Sequence, residues 1–305
     1  MNILIGLLPA IIWGLLPLAI TRFVKGGPLV QITGIGIGTT IVAIITTIIV
    51  RPELPGTLGL ILCFLSGLTW MIGTYGQMYS FKKIGVSRVF PLSSGVQIVG
   101  NALLGWLVLH EWVGVKQVLL GMLFVVLIIA GIILCNKEGK KANDLGADSA
   151  DGDSAEKMPK LTKAEELKIL LMIALTSLGY CAYSLFPKLS GAGAMSQTLP
   201  QGLGMLVGAV VISFVFGKEN PFKMDKKNIR IASCVGLFYG IASLIFLVSI
   251  ARNGMVNGFI LSQLNMVIAT LSGIFIIKEA QKVPLWRTAL GVIAIFAGCI
   301  LIQLI

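Results

Sequence analysis

Charges sit in short clusters along this chain, and between the clusters lie long uncharged, mostly apolar runs. A run of about 20 apolar residues is long enough for a helix to cross the hydrocarbon of a bilayer. Ten such runs can be read, at 3 to 22, 28 to 50, 57 to 81, 87 to 109, 114 to 135, 168 to 188, 196 to 217, 230 to 250, 255 to 277 and 284 to 304. The pattern predicts an all-α membrane protein with ten transmembrane helices. No positive segment precedes the first run and no small-residue cleavage site follows it, so it is expected to be a retained helix rather than a signal peptide.

One segment breaks the pattern. From 136 to 167 the sequence NKEGKKANDLGADSADGDSAEKMPKLTKAEEL mixes charges with Gly, Ser and Asp, the composition of a solvated linker disordered in its middle. Asp148, Asp151 and Asp153 lack the spacing and terminal Glu of a calcium loop. The linker divides the chain into a first unit, 1 to 135, and a second, 168 to 305, with five runs each. Shifted by 170 residues, WGLLP at 13 to 17 meets YSLFP at 183 to 187, and QITGIGIG at 31 to 38 meets QGLGMLVG at 201 to 208. At 169, SGLTW at 66 to 70 meets VGLFY at 235 to 239, and at 168, GWLVLHE at 105 to 111 meets GIFIIKE at 273 to 279. The offset drifts by two residues over a hundred, as related copies do. A unit of five crossings places its copy upside down, which predicts two inverted five-helix repeats of the kind found in alternating-access carriers.

Composition and charge sharpen this picture. With 56% of 305 residues hydrophobic and 12% charged, little is left for a soluble domain. A net charge of +11 would suggest nucleic acid in a soluble protein, but here the placement of Lys and Arg is the informative quantity. Twenty lie on one side of the predicted spans and four on the other, and the short loops alone divide thirteen to four. The rich side is therefore expected in the cytoplasm with the linker, and both termini outside the cell membrane. Cys63, Cys135, Cys181, Cys234 and Cys299 all fall in spans without metal-ligand spacing and read as packing residues.

Candidate chemistry is sparse in charge and rich in amides. No ionisable residue lies mid-span. Glu111 and Glu279 end spans four and nine, and they are repeat equivalents. They fit interfacial anchors; alternatively Glu111, with the sole histidine His110, accepts a proton from outside. Without midplane charge the ligand is expected to be uncharged rather than phosphorylated. Ser66, Trp70, Gly73 and Gln77 form one stripe on span three, and Ser94, Gln97 and Asn101 another on span four. Span nine offers Ser262, Gln263 and Asn265, while spans one and six offer Trp13, Tyr180 and Tyr183. A sugar presents C–H faces that stack on rings and hydroxyls that donate and accept, which amides match in both senses. The competing reading is interhelical hydrogen bonding that merely joins helices. No His/Cys cluster, nucleophile elbow, P-loop or close carboxylate pair supports an enzyme, and no cofactor is implied.

The blocks GLLPAIIWG at 6 to 14, GGPLVQITGIGIG at 26 to 38, SGLTWMIGTYGQ at 66 to 77, IGVSRVFPLSSGVQIVG at 84 to 100 and LSQLNMVIATLSGIFIIKE at 261 to 279 resemble the glucose/ribose porter family. That family belongs to the drug/metabolite transporter superfamily of ten-helix proteins. The resemblance covers the chain apart from the linker. It implies a secondary-active carrier for bacterial uptake of a monosaccharide, coupled to protons. An exporter or exchanger of another small metabolite on the same scaffold is the alternative, and a receptor or assembly factor would leave the polar stripes without purpose. Thr74, Arg88, Phe90 and His110 depart from the residues expected in the family's pattern. The sugar-binding candidates are Trp13, Trp70, Gln77, Gln97, Asn101, Tyr183, Gln263 and Asn265.

Gln31, Gly34 and Gly38 share one helix face, and Gln201, Gly204 and Gly208 repeat it. The GxxxG step lets a neighbouring backbone approach. Inversion puts the two glutamines near opposite mouths of the pathway, as packing or gate residues. Pro17 and its repeat partner Pro187 are the expected bending points.

Overall fold

The computed structural model describes residues 3–137, 161–217, 225–253, 255–277, 283–302 and 304. Among them the helices are α1 (Ile3–Phe23), α2 (Pro28–Val50), α3 (Thr57–Ile84), α4 (Val86–Leu107), α5 (Val115–Asn136), α6 (Lys163–Ser190), α7 (Thr198–Gly217), α8 (Lys226–Asn253), α9 (Met255–Phe275) and α10 (Leu285–Ile302). The described residues contain no strand. The inner part of the charged linker, 138–160, lies outside them.

Eight of these helices are long and apolar enough to cross a membrane. The other two are α4, whose apolar residues are interrupted by Arg88, Ser93, Ser94, Gln97 and Asn101, and α9, apolar over the shorter stretch Leu261–Phe275. Around the bundle, large apolar side chains such as Ile49, Leu58, Val115, Leu123 and Phe216 are exposed. In water they would form an adhesive surface, whereas in a bilayer they meet acyl chains. The protein is a multi-pass membrane protein.

Local chemistry sets the helix ends. Pro28 opens α2, where its fixed φ suits the first helical turn and its missing N–H would have had no partner. One residue, Gly85 at φ +83°, separates α3 from α4 in a backbone conformation that side chains disfavour. α6 starts at Lys163, before the apolar run, because Thr162 and Glu165 form a capping box. At the start of α8, Asp225 accepts the Asn228 side-chain amide and the Lys227 N–H. These contacts, the Asn228 amide foremost, hold its carboxyl below the usual range. α3 likewise runs on to Ile84, carrying Lys82 and Lys83 beyond its apolar part.

Glycine sets the helix crossings. A Cβ on Gly38 would overlap the Ser233 carbonyl oxygen, and one on Gly236 would lie 2.6 Å from Ile35 O, so α2 and α8 touch backbone to backbone. α3 and α7 cross the same way, with Gly204 against Phe64 O and Gly67 against Gln201 O. Gly131 and Gly291 perform this role between α5 and α10. Lipid supplies no hydrophobic drive for helix association, so close dispersion contact and polar bonds must carry it. Thr40 supplies such a bond, donating to Gly202 O on α7 at 2.7 Å.

α1 packs on α8 and α9, α2 on α7 and α8, α3 on α6 and α7, α4 on α6 and α9, and α5 on α10. The most extensive pairings thus join one of the first five helices to one of the last five. The two units are interleaved rather than side by side, so residues from both line the core.

Candidate ligand-binding site

Aromatic rings from four helices meet in the core. Trp70 of α3 lies edge-on to Tyr239 of α8 with centroids 4.8 Å apart, and Tyr239 reaches Trp13 of α1 at 5.8 Å. On its other side Trp70 meets Tyr180 and Tyr183 of α6 at 5.9 and 6.4 Å. Phe246, two turns beyond Tyr239, closes on Trp13 at 5.4 Å. The sequence stripes missed Tyr239 and Phe246. A signal for Tyr239 was present in the repeat, which sets Trp70 over Tyr239 and Trp13 over Tyr183. The chain Trp13, Tyr239, Trp70, Tyr183 therefore consists of two pairs that the sequence offsets set against each other.

Beside the rings lies a hydrogen-bonded polar cluster from α3, α4 and α6. Gln77 Oε1 accepts from Tyr180 OH at 2.9 Å, and Gln77 Nε2 donates to Ser93 Oγ at 2.8 Å. Gln97 Nε2 also donates to Ser93 Oγ, at 3.2 Å. With two amides donating to it, Ser93 turns its own hydrogen toward Ser177 Oγ, 2.8 Å away. Tyr180 OH lies 3.3 Å from Thr74 Oγ1 as well, so the departure at Thr74 belongs to this cluster. Ser93 and Ser177 join Tyr239 among the residues the stripes did not single out.

The other polar candidates lie differently. Asn101 on α4 and Gln263 on α9 are half-buried, and neither bonds to the cluster among the described residues. The side-chain Oδ1 of Asn265 and the indole N–H of Trp13 are both buried without a partner. They sit on contacting helices, since a Cβ on Gly14 of α1 would come 3.0 Å from Asn265 O. A buried donor and a buried acceptor left unpaired are costly.

The paired glycine faces are at the crossings already described, Gly34 and Gly38 against α8, Gly204 and Gly208 against α3. Their glutamines differ. Gln31 is buried with both amide atoms unpartnered, whereas Gln201 donates to Ser66 Oγ at 2.9 Å and Ser66 in turn donates to Tyr183 O. Glu111 and His110 are exposed beyond the end of α4, where Glu111 pairs with Lys188 at 3.2 Å. Its repeat partner Glu279 lies outside the described residues.

Sequence reading also passed over a buried ion pair. Arg88, in the first turn of α4, contacts the Glu166 carboxylate in the first turn of α6, and both side chains are almost wholly enclosed. Arg88 also donates to Asn136 O at the end of α5, 3.1 Å away.

The bundle is thus a polytopic membrane protein whose core brings together rings, amides and hydroxyls. Residues 4–305 match the family described as sugar transport protein, and the chain belongs to that family. A protein of Lactobacillus helveticus named for sugar uptake is 35% identical over 98% of this chain and 99% of its own. A protein of Latilactobacillus sakei named for ribose uptake is 34% identical over 92% and 90%. The glucose uptake protein GlcU of Bacillus subtilis is 34% identical over 98% and 97%. A solved crystal structure shares the fold at a TM-score of 0.60 and 15% identity, over 99% of this chain and 98% of that one.

Proposed function

We propose that this protein is a secondary-active carrier that brings a monosaccharide into the cell by alternating access, driven by the proton gradient. The observation that carries the reading is the meeting of the Trp13, Tyr239, Trp70 and Tyr183 rings, with an unpaired donor, Trp13 N–H, and an unpaired acceptor, Asn265 Oδ1, on the contacting helices α1 and α9. A sugar hydroxyl donates and accepts, so it satisfies both, while the ring C–H face stacks on the aromatics. Gln77 and Gln97 supply further amides beside the rings, through the cluster that Tyr180 shares. The uptake names of the relatives, for sugar, ribose and glucose, point the same way.

The pairing of helices supports an inverted repeat. Exchanging each of the first five helices with its counterpart turns α2 on α8 into α7 on α3, and α1 on α9 into α6 on α4. Both members of each exchange are present. Five crossings per unit then reverse the second copy, with ten crossings in all, both termini outside and the linker in the cytoplasm. Two related halves around one site can trade conformations, which is the basis of alternating access.

The test is uptake of labelled glucose and ribose by vesicles holding the pure protein, with and without an imposed pH gradient. Flux of a monosaccharide, raised by an inside-alkaline gradient, is expected. No flux of any monosaccharide overturns the sugar reading, and flux indifferent to the gradient overturns the coupling alone.

A further inference from the structure

Proton coupling needs a group whose protonation changes the balance between two conformations; a carboxylate in water on both sides of that change is indifferent to it. Glu111 is exposed and its pair with Lys188 is open to solvent. Glu53, Glu165 and Asp225 are exposed too, and Glu166 is the one buried carboxylate among the described residues. Its partner Arg88 is the one buried cation among them. Nε and one terminal nitrogen of Arg88 have no hydrogen-bond partner, so the guanidinium depends on Glu166 and on Asn136 O.

Resting on the proton-coupled reading above, we propose that Glu166 binds the coupling proton and that its pair with Arg88 is the contact the proton breaks. A proton that enters from outside, while the outer end of the bundle is open and this end is packed, adds to a carboxylate oxygen of Glu166 and forms one O–H bond. Glu166 becomes neutral and Arg88 keeps its charge. The packed arrangement then encloses an uncompensated guanidinium, which is strongly unfavourable. A conformation in which this end of the bundle admits water relieves it. Proton binding and opening are therefore linked, and the proton returns to water once that end is wet.

The pair is well placed for this. It ties α6, from the second unit, to α4 and the end of α5, from the first. Of the other charged groups at this end, Lys82 of α3 donates to Gly26 O, and Lys83 lies over the Tyr79 ring. On α6 itself Glu165 is bound to Thr162, while Lys163 and Lys168 are exposed.

The proposal is tested in reconstituted vesicles with labelled glucose, and separately without sugar. Glu166→Gln should lose gradient-driven accumulation to near the equilibrium level yet keep exchange between glucose pools, while Glu111→Gln accumulates as the wild type does. Should Glu166→Gln fail to fold, Glu166→Gln with Arg88→Gln removes both charges and should show the same uncoupled exchange. The sugar-free readout is alkylation of Cys135 by N-ethylmaleimide at neutral pH, mapped by mass spectrometry. Cys135 is enclosed, beside the Asn136 carbonyl that Arg88 holds. Loss of the pair should speed its labelling by about tenfold, and Glu111→Gln should not. Accumulation by Glu166→Gln equal to the wild type, or unchanged labelling, overturns the assignment to Glu166. Wild-type flux indifferent to the gradient overturns coupling itself, and the role with it.

Discussion

Gly38→Ala tests the central packing claim. The new methyl group would overlap the Ser233 carbonyl oxygen and come within 2.6 Å of Gly236 and Leu237 backbone atoms. These are main-chain atoms of a helix, not the ends of flexible side chains, so α2 and α8 must separate. Overpacking of this kind costs about 1–3 kcal/mol, and separation also loosens the contacts at Gly34 and Gly236. Against it stands the better helix propensity of alanine, about 1 kcal/mol. With a main-chain overlap at the upper end of that range, the steric term should win by up to about 2 kcal/mol, lowering the half-unfolding temperature by up to about 8 °C. At Gly208 the nearest atoms are Met71 Cβ at 3.0 Å and the Leu68 main chain at 3.1 and 3.2 Å, a tight contact without overlap, so Ala there should cost less than at Gly38. Gly193 has only Ser196 Oγ, at 3.4 Å, and Ala should change nothing measurable. Thermal unfolding of the pure proteins in one detergent, followed by tryptophan fluorescence, gives the order. A Gly38→Ala protein as stable as the Gly193→Ala protein would refute the backbone contact.

Removing the unpartnered amide of Gln31 as Gln31→Leu should stabilise the protein by about 1–2 kcal/mol, seen in the same melts; destabilisation would mean that the amide has a partner. Tyr239→Leu deletes contacts to both Trp13 and Trp70, each ring pair contributing about 0.5–1.5 kcal/mol. A sugar face stacked on Tyr239 should be worth a similar amount per ring, so half-saturation for glucose should rise by about two- to tenfold, and Tyr239→Phe should keep most of the affinity; equal effects would exclude ring stacking. Lys188→Ala removes an exposed pair and should shift stability by less than about 1 kcal/mol, with no difference left in high salt.

Much of this was legible from residues alone. Chain lengths between polar clusters located every helix among the described residues, because lipid forces a span to be continuous and apolar. The ends shifted where caps act, as at Thr162 and Asp225, since a helix continues into water wherever its end groups are satisfied. The repeat offset linked Trp70 to Tyr239 and Trp13 to Tyr183, but periodicity along one helix could not say that these rings meet. The stripe of Gln77 was visible, whereas Ser93 and Ser177, each a single hydroxyl, carried no pattern of their own.

The sequence by itself determined that the chain spans a membrane many times, and that its spans hold amides and rings but no central charge. Those properties follow from local composition, which the bilayer selects residue by residue. Tertiary structure alone decided which helices touch and which polar atoms were left unpaired. It also enclosed Arg88 with Glu166 while leaving Glu111 in solvent, although all three acidic or basic residues sit near helix ends in the sequence. Burial and pairing depend on the interleaving of the two units, and that interleaving is set by backbone contacts at glycines far apart along the chain.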